Sequence, residues 1–218
     1  MSISSNGLAI TGIDDRRYWS RIQTEESRFH SVAYLQQIWW LEVDGEVEFP
    51  FPAGSYSLFF RLQLGRAYKR FGQRLCNSEH VHGWDIKPVQ LKLSTSDGQQ
   101  ATSQFYLKEP GKWIYYHAGD FFVADSGKST KVKFSMTQID CTHTKGGLCV
   151  DSVIVYPGEF GKSWEHLKVR LGMGREVEYG AGGGLRASKA QCSLKGSSIV
   201  ASRAWAGPMG TMLGQSIF

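Results

Sequence analysis

Apolar and polar residues alternate with a period of two along most of the first 157 positions. In SYSLFFRLQL, Tyr56, Leu58, Phe60, Leu62 and Leu64 are apolar, and Ser55, Ser57, Arg61 and Gln63 are polar, with Phe59 the exception. Successive strand residues point to opposite faces, so this pattern predicts a half-buried strand with its even positions in a core. PVQLKLS repeats the pattern with Val89, Leu91 and Leu93 inward, and KVKFSMTQI does so with Val132, Phe134 and Met136. LEVDGEVEF carries Asp44-Gly45 between alternating flanks, which predicts a two-residue hairpin turn. CVDSVIVYP is an apolar strand stopped by Pro157. No long helical pattern interrupts the series. Short strands spaced by turn residues predict an all-β fold, an antiparallel β-sandwich spanning residues 1–157.

YLQQIWWLEV reads as one more strand. Its odd face carries Leu35, Trp39, Leu41 and Val43, and its even face Gln36, Ile38, Trp40 and Glu42. The odd face is the continuous apolar one, so Trp39 is predicted in the core. Trp40 is predicted to pack on the opposite face under a neighbouring loop or the N-terminal segment.

The texture changes after Pro157. Of the 25 glycines in the 218-residue chain, 12 fall in the last 61 positions, including Gly182-Gly183-Gly184. Apolar residues there follow no period, so residues 158–218 are predicted to be a disordered Gly-rich tail, with at most a turn or two of helix over Glu165–Gly172. GAGGG lacks the preceding strand and following helix that a phosphate-cradling loop needs. The net charge of +5 also sits mostly in this tail. Residues 1–157 hold 17 Lys and Arg against 16 Asp and Glu, and residues 158–218 hold 8 against 4. The folded part therefore has no basic footprint for nucleic acid. No apolar run approaches the roughly 20 residues of a membrane helix, and the N-terminus has neither the basic nor the apolar region of a secretory signal. These readings predict an intracellular protein whose four cysteines are free thiols.

Candidate chemistry adds little towards catalysis. Cys76, His80 and His82, with Cys141, His143 and Cys149, are metal-capable types without a CxxC pair or repeated ligand spacing, so no metal and no other cofactor is expected. Glu42, Asp44, Glu46 and Glu48 fall on one strand face and read as a solvated rim, not as two carboxylates facing across a cleft. No G-x-S-x-G element occurs. A non-enzymatic protein is predicted. Trp19, Trp84 and Trp113 lie among turn residues or charges, where an indole either serves a ligand or plugs the end of a core.

The runs ITGIDDRRYWS, EESRF and VAYLQQIWWLEVDGE resemble the start of the plant phloem protein 2 lectin domain. GKWIYYHAGDFFV, KVKFSMTQID and HTKGGLCVDSVIVYP resemble its end. CNSEHVHGWDIKPV and CTHTKGGLCVDSV are similar to the branch in which this domain follows an F-box. The resemblance implies a jelly-roll sandwich like a carbohydrate-binding module, and binding of N-acetylglucosamine oligomers and N-glycan cores in the cytoplasm and nucleus. In the F-box branch it implies that the F-box docks a Skp1-type adaptor of a ubiquitin ligase while the lectin-like domain selects a glycoprotein substrate. Met1 begins where that branch leaves its F-box linker, so the adaptor is expected as a partner only of forms that carry the F-box. Of the two N-terminal tryptophans proposed for sugar contact in the lectins, the second matches Trp19 and the first falls at Gly12. Trp40 matches the tryptophan of the family's W-L-E motif, and Gly111-Lys112-Trp113 and Gly119-Asp120-Phe121 match its later elements. The resemblance thus points to Trp19 and Trp113 for stacking, with Asp120 or Glu25 accepting hydroxyl hydrogen bonds. The glycine at position 12 leaves an alternative open: a protein–protein interaction domain on the same sandwich that has lost the sugar site.

Overall fold

The computed structural model describes residues 1–71, 73–125 and 127–158, and the predicted tail, with the Glu165–Gly172 segment, lies outside the described residues. The strands are β1 (Ser2–Ser4), β2 (Ala9–Ile10), β3 (Trp19–Gln23), β4 (Ser31–Leu35), β5 (Leu41–Phe49), β6 (Gly54–Leu64), β7 (Arg66–Arg70) and β8 (Gln73–Asn77). They continue with β9 (Val89–Thr95), β10 (Gln100–Phe105), β11 (Trp113–Val123), β12 (Thr130–Gln138) and β13 (Leu148–Pro157). One sheet runs β11-β6-β13-β4-β3 with β1 added on β13, the other runs β10-β9-β12-β5-β2, and β7 pairs with β8 as a separate hairpin. All pairings are antiparallel.

The core lies between the two large sheets, where the alternation placed it. Tyr56, Leu58, Phe60, Leu62 and Leu64 of β6 are buried, as are Val89, Leu91 and Leu93 of β9 and Val132, Phe134 and Met136 of β12. Phe60 and Phe134 meet edge to face across the sheets, with ring centroids 5.9 Å apart. β13 is buried from Leu148 to Val155 and ends at Pro157, because it is central in its sheet and covered on both sides. Phe59, the exception in the β6 alternation, is buried on the outer face against His117 and Tyr156.

Two expectations need correction. The first is the hairpin at Asp44-Gly45. β5 runs unbroken through both residues and pairs along its whole length with β12. Gly45 stands opposite Phe134, and a Cβ there would come 2.3 Å from Phe134 Cε2 and 3.0 Å from Leu8 Cδ2. The glycine is needed for the room it leaves the phenyl ring, and that packing overrides the local turn preference. Gly45→Ala is therefore expected to destabilise the fold by about 1–3 kcal/mol, as overpacking a core does. Phe134→Leu in the same chain should recover part of the loss, as read by urea denaturation of the single and double variants.

The second is YLQQIWWLEV, which is two strands and not one. β4 ends at Leu35 in the first sheet and β5 begins at Leu41 in the second. Residues 36–40 carry the chain from sheet to sheet, so the parity of positions before the crossover says nothing about positions after it. Only Ile38 stays inside, bridged to Lys145 by two backbone hydrogen bonds of 2.9 Å. Trp39 is 53% exposed rather than in the core, and Trp40 is 43% exposed. Lys145, fully buried, fixes this corner by donating to the carbonyls of Trp39 (2.6 Å) and Gln138 (3.0 Å). Burial lowers its ammonium pKa, against the opposing pull of Asp140 and Cys141.

β11 contains a bulge between His117 and Gly119. It shifts the outward-facing positions from the odd series Trp113, Tyr115, His117 to the even pair Asp120 and Phe122. β10 and β11 are edge strands of opposite sheets, and side chains tie them. Ser103 Oγ donates to the His117 carbonyl (2.7 Å), and the Gln99 amide donates to the Phe122 carbonyl (2.7 Å) and accepts from its N–H (2.8 Å).

Candidate functional site

The outer face of the first sheet carries a row of side chains across five strands: Ser20, Tyr34, Cys149, Gln63 and Trp113. Val32, Tyr34 and Cys149 form a small buried cluster there, packed against Ile22 and Trp113. Ile22, Gln63, Trp113 and Cys149 floor a cleft of about 330 Å³, walled by Glu26 of the β3–β4 connection and by Arg66, Tyr68 and Asn77 of the β7–β8 hairpin. A second cleft of about 490 Å³ shares Arg66 and Asn77 as a wall, and Arg17, Gln36 and His80 line it further out. Both floors are electrically neutral: burial pushes the Cys149 thiol in the first cleft up to about 12 and raises the Tyr34 phenol in the second above its ordinary value. The charges stand on the walls.

Trp113 opens β11 directly after a turn in which Glu109 and Gly111 both have positive φ (61° and 86°). Its indole N–H donates to Glu26 Oε2 at 2.8 Å, and the Arg61 guanidinium lies over the ring, 4.3 Å from the centroid. Arg61 is in turn held by Asp151 (2.7 Å) and by the Glu26 carbonyl (3.0 Å). Asp151 is buried and also accepts from the Ser27 and Ser152 hydroxyls. Trp113 is thus oriented by a largely buried ion pair on the outer face of the sheet, covered by the β3–β4 connection.

The expected site residues separate. Trp19 is a core residue and not a platform. It is 1% exposed, faces Leu35 across the β3–β4 pair, and donates its N–H to the Thr11 carbonyl (3.1 Å). Placing it at the start of a strand, on the inward face, leaves no ring surface for a ligand. The exposed aromatic of that loop is Tyr18, with the Arg17 guanidinium 5.4 Å from its centroid. Gly12 sits beside it in a left-handed conformation (φ 78°) that a tryptophan would adopt only with strain. Trp84 is also a plug, buried and bonded to the Gly146 carbonyl (2.7 Å).

Glu25 is exposed next to Glu26, the acid that meets Trp113. Asp120 lies seven residues further along β11, roughly 20 Å at strand spacing, and is not brought to Trp113. It accepts from Ser57 (2.5 Å) and pairs with His117 (2.8 Å). The His117 hydrogen bond, aided by Ser57 and opposed by burial, holds its carboxyl below the usual range.

Sequence reasoning missed Glu26, Arg61, Gln63 and the hairpin residues. The β6 alternation already marked Arg61 and Gln63 as outward-facing. Glu26 lies in a loop with no period, and nothing local separates it from Glu25. Among the described residues, no three His, Cys, Asp or Glu side chains converge as a metal site. The arrangement as a whole supplies a ring, amides, guanidinium groups and carboxylates around a neutral floor, which suits holding a polar ligand.

The chain is thus an antiparallel β-sandwich with a cleft on the outer face of one sheet. The chain belongs to the phloem protein 2 family, whose model matches residues 1–157. It is 71% identical over 158 residues to the F-box protein PP2-A12 of Arabidopsis thaliana, covering 72% of this chain and 54% of that protein. It is 28% identical over 155 residues to a protein named lectin from Luffa acutangula, covering 69% of this chain and 66% of that one. The chain therefore spans about half the length of the F-box relative. Among solved structures, the family 35 carbohydrate binding module of Clostridium thermocellum is similar at 9% identity with a TM-score of 0.38, covering 71% of this chain and 97% of that one.

Proposed function

We propose that the sandwich is a non-enzymatic carbohydrate-binding module that takes N-acetylglucosamine oligomers or N-glycan cores in the cleft at Trp113. Membership of the phloem protein 2 family and the relative named a lectin support the ligand class. The observation that carries the reading is Trp113, a half-buried indole fixed by Glu26 and Arg61 and set in a cleft of amides and charged side chains. An apolar sugar face stacks on the ring, and Glu26, Gln63 and Arg66 exchange hydrogen bonds with the hydroxyl and acetamido groups. Glu25 lies close enough in sequence to extend the same set. In longer forms that carry an F-box, the module selects glycoprotein substrates in the cytoplasm or nucleus while a Skp1-type adaptor binds elsewhere.

A titration with chitin oligomers, followed by tryptophan fluorescence and calorimetry, tests this reading. Stacking contributes about 0.5–1.5 kcal/mol by analogy with aromatic pairs, so Trp113→Ala is expected to weaken binding about two- to tenfold while the cooperative unfolding transition remains. Unchanged affinity in that variant removes the cleft from consideration. Protein–protein recognition on the same sandwich is favoured by one observation. Lys145 draws together the carbonyls of Trp39 and Gln138, and Trp39 and the neighbouring Ile139 are both exposed. A parent protein that binds no glycan but loses a protein partner on Trp39→Ala would support that reading.

A further inference from the structure

The second sheet has an outer face of its own. Asp44, Ser135, Lys92 and Thr102 form one row across β5, β12, β9 and β10. Glu46, Lys133, Ser94 and Gln100 form the next. Together they line a groove of about 640 Å³, with Ala9 of β2 at its margin. Two carboxylates stand against two ammonium groups, so the groove presents no net charge to favour a polyanion or polycation. Burial and the nearby Glu42 raise the Asp44 pKa. The remaining side chains of the rows are hydroxyls and one amide.

A third row, Glu42, Thr137, Gln90 and Gln104, continues the polar face beyond the groove. At its end stands Trp40, whose indole N–H donates to Glu42 Oε2 (3.2 Å), the same oxygen that accepts from Thr11 Oγ1 (3.5 Å). The ring is 43% exposed and fixed, at the end of a ladder of hydrogen-bonding groups. Trp40, which immediately precedes β5, and Asp44 are four residues apart, about 13 Å at strand spacing, which is beyond the reach of a single sugar ring.

We propose that this face is a second glycan site, distinct from the cleft at Trp113. It binds an uncharged oligosaccharide that stacks one ring on Trp40 and lays the following rings along the polar rows. The site does not depend on the cleft, because the two belong to different sheets.

The test follows the indole N–H resonances of Trp40 and Trp113 by NMR while the protein is titrated separately with chitotetraose, cellotetraose, mannotetraose and β-1,4-galactotetraose. The Trp40 resonance is expected to move with at least one tetrasaccharide in the parent and equally in Trp113→Ala, and to move far less with the matching monosaccharide. Trp40→Ala should weaken that binding about tenfold or more, the equivalent of at least about 1.4 kcal/mol. Thr102→Arg, at an exposed edge position, should block the groove without touching the core. Movement of Trp40 alone supports the proposal and removes the Trp113 cleft. Movement of Trp113 alone overturns the proposal and leaves the cleft standing. A Trp40 resonance unmoved by all four sugars overturns it whatever Trp113 does.

Discussion

Trp19→Ala is expected to lower the unfolding free energy by about 3–5 kcal/mol, the range for emptying a large core side chain, while Trp39→Ala stays within about 0.5 kcal/mol of the parent. Both residues are tryptophans beside or within strands, and composition alone would rank them together. Burial separates them. Trp19 is enclosed between the sheets, and its loss also leaves the Thr11 carbonyl without its indole partner. Trp39 holds its place through its backbone carbonyl, which any residue supplies to Lys145, while half of its side chain faces solvent. Urea denaturation of the two variants, monitored by far-UV circular dichroism so that the lost indole does not bias the signal, checks the contrast. Equal stabilities would mean that the β3–β4 register is misplaced.

Removing Arg61 should cost a comparable amount. Arg61→Ala leaves the Asp151 carboxylate buried without its cation, and breaking a buried pair from one side costs about 3–5 kcal/mol. The double variant Arg61→Ala/Asp151→Ala should be less destabilised than the sum of the two singles, because it removes the stranded charge together with its partner. Arg61 also covers one face of Trp113 and anchors the Glu26 loop through its carbonyl. The variant should therefore shift the Trp113 emission as well as the unfolding midpoint. Arg61→Lys tests the geometry: an ammonium keeps the charge but not the fork that reaches Asp151 and Glu26 together. It should recover only part of the stability. A single Arg61→Ala variant as stable as the parent would show that the pair contributes nothing net to the fold.

Much of the fold was legible because alternation is a direct record of which face is buried. β6, β9 and β12 lie where their periods of two put them, with the named residues inward, and β13 is the apolar strand that ends at Pro157. The failures occurred where a local pattern meets a long-range event. Asp44-Gly45 has the composition of a tight turn, yet a nine-residue partner strand and the Phe134 ring decide its conformation. YLQQIWWLEV keeps a plausible alternation across a change of sheet, and no residue in it marks the crossing. Trp19 sits in DDRRYWS, and its charged neighbours conceal the start of a strand. The site was less legible than the fold for the same reason. Trp113 could be singled out from its turn context, but its partners Glu26, Arg61 and Arg66 arrive from three separate segments. Only pairing across strands brings them together.

The tie between β10 and β11 bears on how the protein behaves when it is crowded. Edge strands offer unpaired backbone groups to any other extended chain, and long flat ones invite strand addition and aggregation. β11 is eleven residues long, but Ser103 and Gln99 already occupy the carbonyls of His117 and Phe122 and the N–H of Phe122, and the bulge breaks the even spacing an incoming strand would need. This flank of the sandwich is in effect sealed against its own copies by two polar side chains. Strand addition is thereby disfavoured at this flank, and the broad sheet faces stay open beside it.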